Sequence, residues 1–207
     1  PIGDTFAAQA SKGWNERDSS IPASGWTPAQ RAQHEQIAEA MRTTADETVA
    51  LARLTPHRVM RELYEQTIAY LRAYAERVPR YTPADDHLAR VAAGTSNALT
   101  WICSAITYGS AASRAPLVIP SAAPLEVALP NDPSDPARYV TEPLAVCPDW
   151  LTTVDNFNAD TAEWQNMDTS IPSANWTREQ QAIFVEIAPL MSSNADTLQN
   201  LGIRREN

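Results

Sequence analysis

The chain has 207 residues, of which 43% are hydrophobic, and a formal net charge of −9. That length suits one large or two small globular domains, and a pI near 4.8 argues against a nucleic-acid interface or electrostatic docking on anionic lipid, both of which need a basic face. The sequence starts at Pro1 without a methionine, read as a processed or trimmed product, and no run approaches the ~20 apolar residues that span a bilayer.

Residues 4–18 read as a helix with Phe6, Ala10 and Trp14 on one face. The stretch that follows, from Asp18 through Ser20-Ile21-Pro22 and Trp26-Thr27 to Gln30, returns 150 residues later as Asp168, Ser170-Ile171-Pro172, Trp176-Thr177 and Gln180. The match runs without a gap from Trp14/Trp164 to Leu51/Leu201, with 15 identities in 38 positions, so a whole folding unit is duplicated. Each copy reads as a helix start. Thr27 and Thr177 are the caps, with Gln30 and Gln180 completing a capping box, and Pro28 fits the first helical position. Trp14, Trp26, Trp164 and Trp176 are expected as keystones that fix the angle between consecutive helices, in preference to a binding surface.

A long helix over 28–54 follows, striped by Ile37, Met41, Ala45, Val49 and Ala52 at spacings of three and four. His34 lies on that stripe, and its counterpart Phe184 marks the position as a packing site. Pro56 opens a helix to about Val78, striped by Met60, Leu63, Tyr64, Ile68, Leu71, Tyr74 and Val78. Thr82-Pro83 starts another to about Tyr108, striped by Leu88, Val91, Ala92, Thr95, Leu99, Ile102 and Ile106. Four helices with short connections describe an all-α, antiparallel up-down bundle over residues 1–110. Arg72, Tyr74, Arg77, Arg80 and Tyr81 gather near the end of its third helix, where arginines and tyrosines could grip an acidic sugar, a phosphate or a carboxylate. Answering the helix dipole and pairing with Asp85 and Asp86 is the favoured role.

Residues 111–148 hold eight of the 16 prolines, which forbids helix and describes a linker or strap; Leu117-Val118-Ile119 and Leu125 to Leu129 read as extended segments within it. Cys103 and Cys147 flank this strap, and a disulfide between them is favoured over two free thiols, which implies an oxidising compartment. Residues 149–207 form a partial second copy with two helices, over about 149–167 and 178–201. Its stripe of Phe184, Ile187, Met191, Ala195 and Leu198 lacks the third and fourth helices that answer it in the first copy. That stripe is expected to pack on the first lobe, or on a second chain in a homodimer.

No catalytic constellation appears. His34, His57 and His87 stand apart, di-metal helix spacings are missing, and six glycines leave little room for a phosphate loop; no metal or cofactor is expected. Trp26-Thr27-Pro28-Ala29-Gln30-Arg31, Arg72-Ala73-Tyr74, Pro79-Arg80-Tyr81-Thr82-Pro83-Ala84-Asp85 and Cys103 resemble a group of uncharacterised actinobacterial, chiefly mycobacterial, proteins. Those carry one transmembrane anchor ahead of an extracytoplasmic helical region. The resemblance implies a membrane-tethered, extracytoplasmic location through an anchor this chain lacks, and supplies no catalytic residues. The expected function is therefore a non-enzymatic module that binds another cell-envelope component, a protein first, with a small-molecule or lipid-binding domain as the alternative.

Overall fold

A computed structural model describes residues 8, 10–114, 132–142 and 144–203. Among them every regular element is helical, and the architecture is that of an all-α bundle. The chain forms two units, Pro1–Tyr139 and Val140–Asn207.

In the first unit α1 spans Pro28–Leu54, α2 Arg58–Arg77, α3 Asp86–Thr107 and the short α4 Ser110–Arg114. Helix α1 starts as its sequence dictates. The Thr27 hydroxyl accepts from the Gln30 N–H at 3.2 Å, and the Gln30 side chain accepts from the Thr27 N–H at 2.9 Å. It stops at Thr55, whose hydroxyl donates to the Leu51 carbonyl at 2.7 Å just before Pro56. Helix α2 begins at Arg58, two residues after the expected Pro56, because His57 keeps an extended ψ of 116°. Pro83–Asp85 is a 3-10 turn, and α3 proper begins at Asp86.

Helix α2 is the middle layer. Glu65, Gln66, Thr67, Ile68 and Ala69 are buried in succession, so it is covered on every side at that level. Ile37, Met41, Ala45 and Ala52 of α1 meet Ile68, Leu71, Tyr74 and Ala75 of α2 in one core that Ala89 and Ala92 of α3 close. Burying each of the larger aliphatic side chains contributes about 1.5–3 kcal/mol. Small residues let α3 approach α2, and the Thr67 and Thr95 hydroxyls bond directly at 2.9 Å.

The opening helix departs from expectation. Residues 1–7 and 9 lie outside the described residues, and the helix does not continue to Asp18. Gly13 turns left-handed at φ 91°, a conformation glycine adopts without steric cost, and Trp14–Glu16 form a 3-10 turn. The expected extended segments at 117–119 and 125–129 also lie outside the described residues. Val91 and Ile106, expected on the core stripe of α3, are exposed at 39% and 65%. The Thr67–Thr95 contact explains Ile106: in an antiparallel pair that register sets it level with Pro56, ahead of the first turn of α2.

In the second unit α5 (Cys147–Asp160) and α6 (Ala162–Gln165) pack on α7 (Arg178–Ile203). The expected single helix over 149–167 breaks at Thr161, which is buried and whose hydroxyl donates to the Phe157 carbonyl at 2.7 Å and accepts from Gln165 Nε2 at 2.7 Å. Helix α7 runs through Pro189; the missing N–H removes the bond that would reach back to Val185.

The duplicated stretch shares four local hydrogen bonds between its copies. Asp18 Oδ1 accepts from the Ser20 N–H and Asp168 Oδ1 from the Ser170 N–H, each at 2.9 Å. The indole of Trp26 donates to the Ile21 carbonyl at 2.9 Å, and that of Trp176 to Ile171 at 3.0 Å. Thr177 and Gln180 repeat the cap distances of Thr27 and Gln30. Thr27→Ala and Thr177→Ala are each expected to cost about 1 kcal/mol, measured by denaturant unfolding; an unchanged midpoint in both would refute the capping role.

Burial separates the copies. Ala38, Met41 and Ala45 are 2%, 1% and 0% exposed. Their identical counterparts Ala188, Met191 and Ala195 are all exposed, although all three lie on or beside the stripe expected to be covered.

Candidate functional site

The arginine–tyrosine cluster near the end of α2 divides into two faces. Tyr74 and Tyr81 turn inward and are fully buried. Arg72 turns outward, donating to Asp46 Oδ1 at 2.7 Å and to the Ser134 carbonyl at 2.6 Å, and Arg77 pairs with Asp85 at 3.7 Å. Arg80 is exposed at the lip of two shallow depressions of about 350 and 250 Å³. The five side chains do not converge on one point.

The inward tyrosines complete an aromatic nest. His34 stacks on Trp26 at 3.8 Å between ring centres, with Trp14 edge-on at 5.1 Å. Trp14 in turn meets Tyr74 at 5.7 Å, and Tyr81 stacks beside Trp26 at 5.4 Å. The Arg17 guanidinium lies 3.8 Å over the Trp14 ring and pairs with the buried Asp86, which also accepts from Arg90 at 2.7 Å. Burial raises the Tyr81 phenol to about 12, reinforced by Asp86, and burial raises Tyr74 further. Neither hydroxyl ionises near neutral pH. The Tyr81 hydroxyl donates to the Ser19 carbonyl at 2.8 Å, tying the duplicated stretch to the end of α2. In the second copy the nest reduces to Trp176 stacked on Phe184 at 4.1 Å, with Trp164 half-buried nearby in sequence.

His34 sets a pH-dependence. Burial holds its imidazole below the usual 6.5; the Gln30 carbonyl, 2.8 Å from Nδ1, acts the other way, Arg17 lowers it further and Asp86 raises it. Because the folded value lies below the unfolded one, the contribution is complete above pH 6.5 and is lost as pH falls through the lowered value. His34→Phe, which copies Phe184, is expected to flatten the stability change between about pH 7 and pH 5. Thermal melts at both pH values check this.

The strap has a docked end. Asp132 Oδ1 accepts from the Ser134 N–H at 2.9 Å, forming a turn whose Ser134 hydroxyl accepts from Arg53. Gln66 then binds the strap like a paired strand, donating to the Ala137 carbonyl at 2.9 Å and accepting from the Tyr139 N–H at 3.0 Å. The Tyr139 hydroxyl donates to the buried Glu65 carboxylate at 2.9 Å. Cys103 and Cys147 are exposed free thiols in different units, so the expected disulfide is not formed in this structure.

Among the described residues of the first unit, large apolar side chains are exposed where α1 closes, α2 opens and α3 runs out. Leu54 and Val59 are 80% and 54% exposed there, and Trp101, Ile106 and Tyr108 on α3 are 71%, 65% and 85% exposed. No charged residue stands between Arg90 and Arg114. Sequence reasoning placed Ile106 on the core stripe and left Trp101 and Tyr108 off it; the lack of charge on a helix outlasting its partner was the available signal for this surface. Exposed apolar clusters of this kind mark docking surfaces. A shallow, open depression of about 360 Å³ is edged by Lys12, Gln30 and Gln33. Among the described residues no group of His, Cys, Asp or Glu could hold a metal ion, and no helix is long and apolar enough to cross a membrane.

The sequence model of the family described as "Mycobacterial ESX-1 associated protein" matches residues 1–207. An uncharacterised protein of Mycolicibacterium smegmatis (strain MKD8) is 48% identical over 202 residues, which cover 98% of this chain and 54% of that protein. The chain thus spans about half the length of that relative. No solved structure matches.

Proposed function

Because the chain belongs to the mycobacterial ESX-1 associated protein family, we propose that it is a non-catalytic helical module that binds another cell-envelope protein outside the cytoplasm. The observation that carries this is the set of exposed large apolar side chains on the first unit, Leu54 and Val59 with Trp101, Ile106 and Tyr108, the last three on a helix run without charge. A water-filled surface gains nothing from such residues, whereas tryptophan and tyrosine dominate the binding energy of protein interfaces. Exposed apolar side chains on a surface favour a protein partner over a small molecule or lipid held in a concave pocket. Membrane tethering and a Cys103–Cys147 bond belong to the same reading, the latter as the oxidised form of two accessible thiols.

The test is gentle purification of the full-length protein from mycobacterial envelopes, with Trp101→Asp/Tyr108→Asp beside the wild type. One co-purifying protein should be lost with the double variant, since interface aromatics contribute about 2 kcal/mol or more each. Recovery of lipid alone, or equal recovery by both proteins, overturns the proposal. Free-thiol titration of the same unreduced sample decides the bond: two reactive thiols remove it.

A further inference from the structure

Two 3-10 turns of the first unit, Ala23–Gly25 and Val78–Arg80, are tied to each other. The Ala23 N–H donates to the Tyr81 carbonyl at 2.9 Å, and the Tyr81 hydroxyl donates to the Ser19 carbonyl at 2.8 Å. Joined in this way, the turns form the shallow depression of about 350 Å³ at Arg80, and Arg31 of α1 lines it as well. Pro22 and Pro79 give that lining an apolar part, and Ser24 and Thr82 add hydroxyls. Among the described residues no carboxylate lines it, although the chain carries a net charge of −9.

Neither guanidinium is neutralised, whereas those around them are. Arg17 and Arg90 share Asp86, and Arg77 pairs with Asp85. Arg31 donates to the Ala23 carbonyl at 2.7 Å, a bond that fixes the group and leaves most of its five N–H donors over. Arg80 has no hydrogen-bond or ion-pair partner among the described residues and is exposed. The fold does not call for a cation at position 31 either. In the second copy its counterpart is Gln181, which donates to the Trp176 carbonyl at 3.1 Å, and the turn there keeps its indole and cap bonds.

We infer that Arg31 and Arg80 form a binding site for the phosphate group of a phosphate monoester. Two unpaired guanidinium groups on a lining without acid match a dianion. A phosphate monoester carries a charge of about −1.5 to −2 at neutral pH, whereas a carboxylate carries one charge and would leave one arginine unanswered. The planar guanidinium also suits phosphate oxygens, to which it donates in pairs. Pro22 and Pro79 offer the carbon skeleton of the ester an apolar support beside the charge. The same phosphate chemistry is carried by a soluble sugar phosphate and by a lipid headgroup.

The site goes beyond the protein-binding reading and shares no residue with the Trp101 surface, so either can fail alone. The experiment uses the intact chain in two arms. Glucose 1-phosphate is titrated while NMR follows the arginine side-chain N–H signals, and co-sedimentation is measured with phosphatidylcholine vesicles containing phosphatidic acid. Saturable binding is expected in at least one arm, and the arm that responds identifies the carrier. Arg31→Gln, which copies Gln181, and Arg80→Gln, at an exposed side chain without a partner, should each weaken that binding about tenfold, the loss of a charge-assisted contact. Saturation in neither arm, or binding unchanged in both variants, overturns the inference. So does acetate saturating the same signals at the same concentration as glucose 1-phosphate, because the site would then be one for carboxylates.

Discussion

Trp14→Ala is expected to destabilise the first unit by about 3–5 kcal/mol, the range for truncating a buried tryptophan. Trp14 is 3% exposed, touches His34 and Tyr74 edge-on, and carries the Arg17 guanidinium on its face. The side chain therefore fills a hole bounded by the start of α1, the end of α2 and the Arg17–Asp86 pair, none of which can collapse into it. Trp164, its duplicate, is only half-buried, and Trp164→Ala should cost roughly 1–2 kcal/mol, the ordinary range for a point substitution. Hydrogen exchange read separately in α1 and α7 gives both values. Equal losses in the two units would refute the keystone role of the nest.

Asp86→Ala is the second large effect, about 3–5 kcal/mol, because it strands a partly buried guanidinium. The Asp86 side chain is 5% exposed and that of Arg17 14%, so water screens the pair little. Burial by itself would raise the Asp86 carboxyl, but hydrogen bonds from Arg90 and Arg17 hold it below its usual 3.8. Its folded value lies below the unfolded one, so the stabilisation is whole above pH 3.8 and is lost as pH falls through the lowered value. Urea unfolding from neutral pH down to about pH 2 should show the wild type losing stability over that acid window and Asp86→Ala showing a shallower fall. Parallel curves would refute the assignment.

Local chemistry made the helix starts legible. Thr27, Gln30, Thr177 and Gln180 took their cap positions because every group involved lies within four residues. The 27-residue α1 followed from its stripe and its closing proline. The helix expected over 4–18 fell short because Gly13 is permissive in either hand, and periodicity alone did not reveal the turn. The arginine–tyrosine cluster stands out in the sequence because Arg72 to Tyr81 are close along the chain; the rotation of α2 sends Tyr74 inward and Arg72 outward, and Arg77 takes the expected pairing with Asp85. The apolar end of α3 was missed for a different reason. A stripe records which residues are apolar, and only the register between helices, here the Thr67–Thr95 contact, shows where the partner ends.

The duplicated turn has a consequence for the order of events in folding. Its bonds from Asp18 to Ser20, Ile21 to Trp26 and Thr27 to Gln30 close loops of two, five and three residues. Closing loops of this size takes tens of nanoseconds, far less than bringing α1 and α2 together. A helix is limited by the cost of its first turn, with a nucleation constant near 10⁻³. The turn organises that first turn in advance, so α1 and α7 each elongate from a seed that needs no distant contact. That independence accounts for the same geometry in two copies whose surroundings differ: the seed sets before burial has been decided.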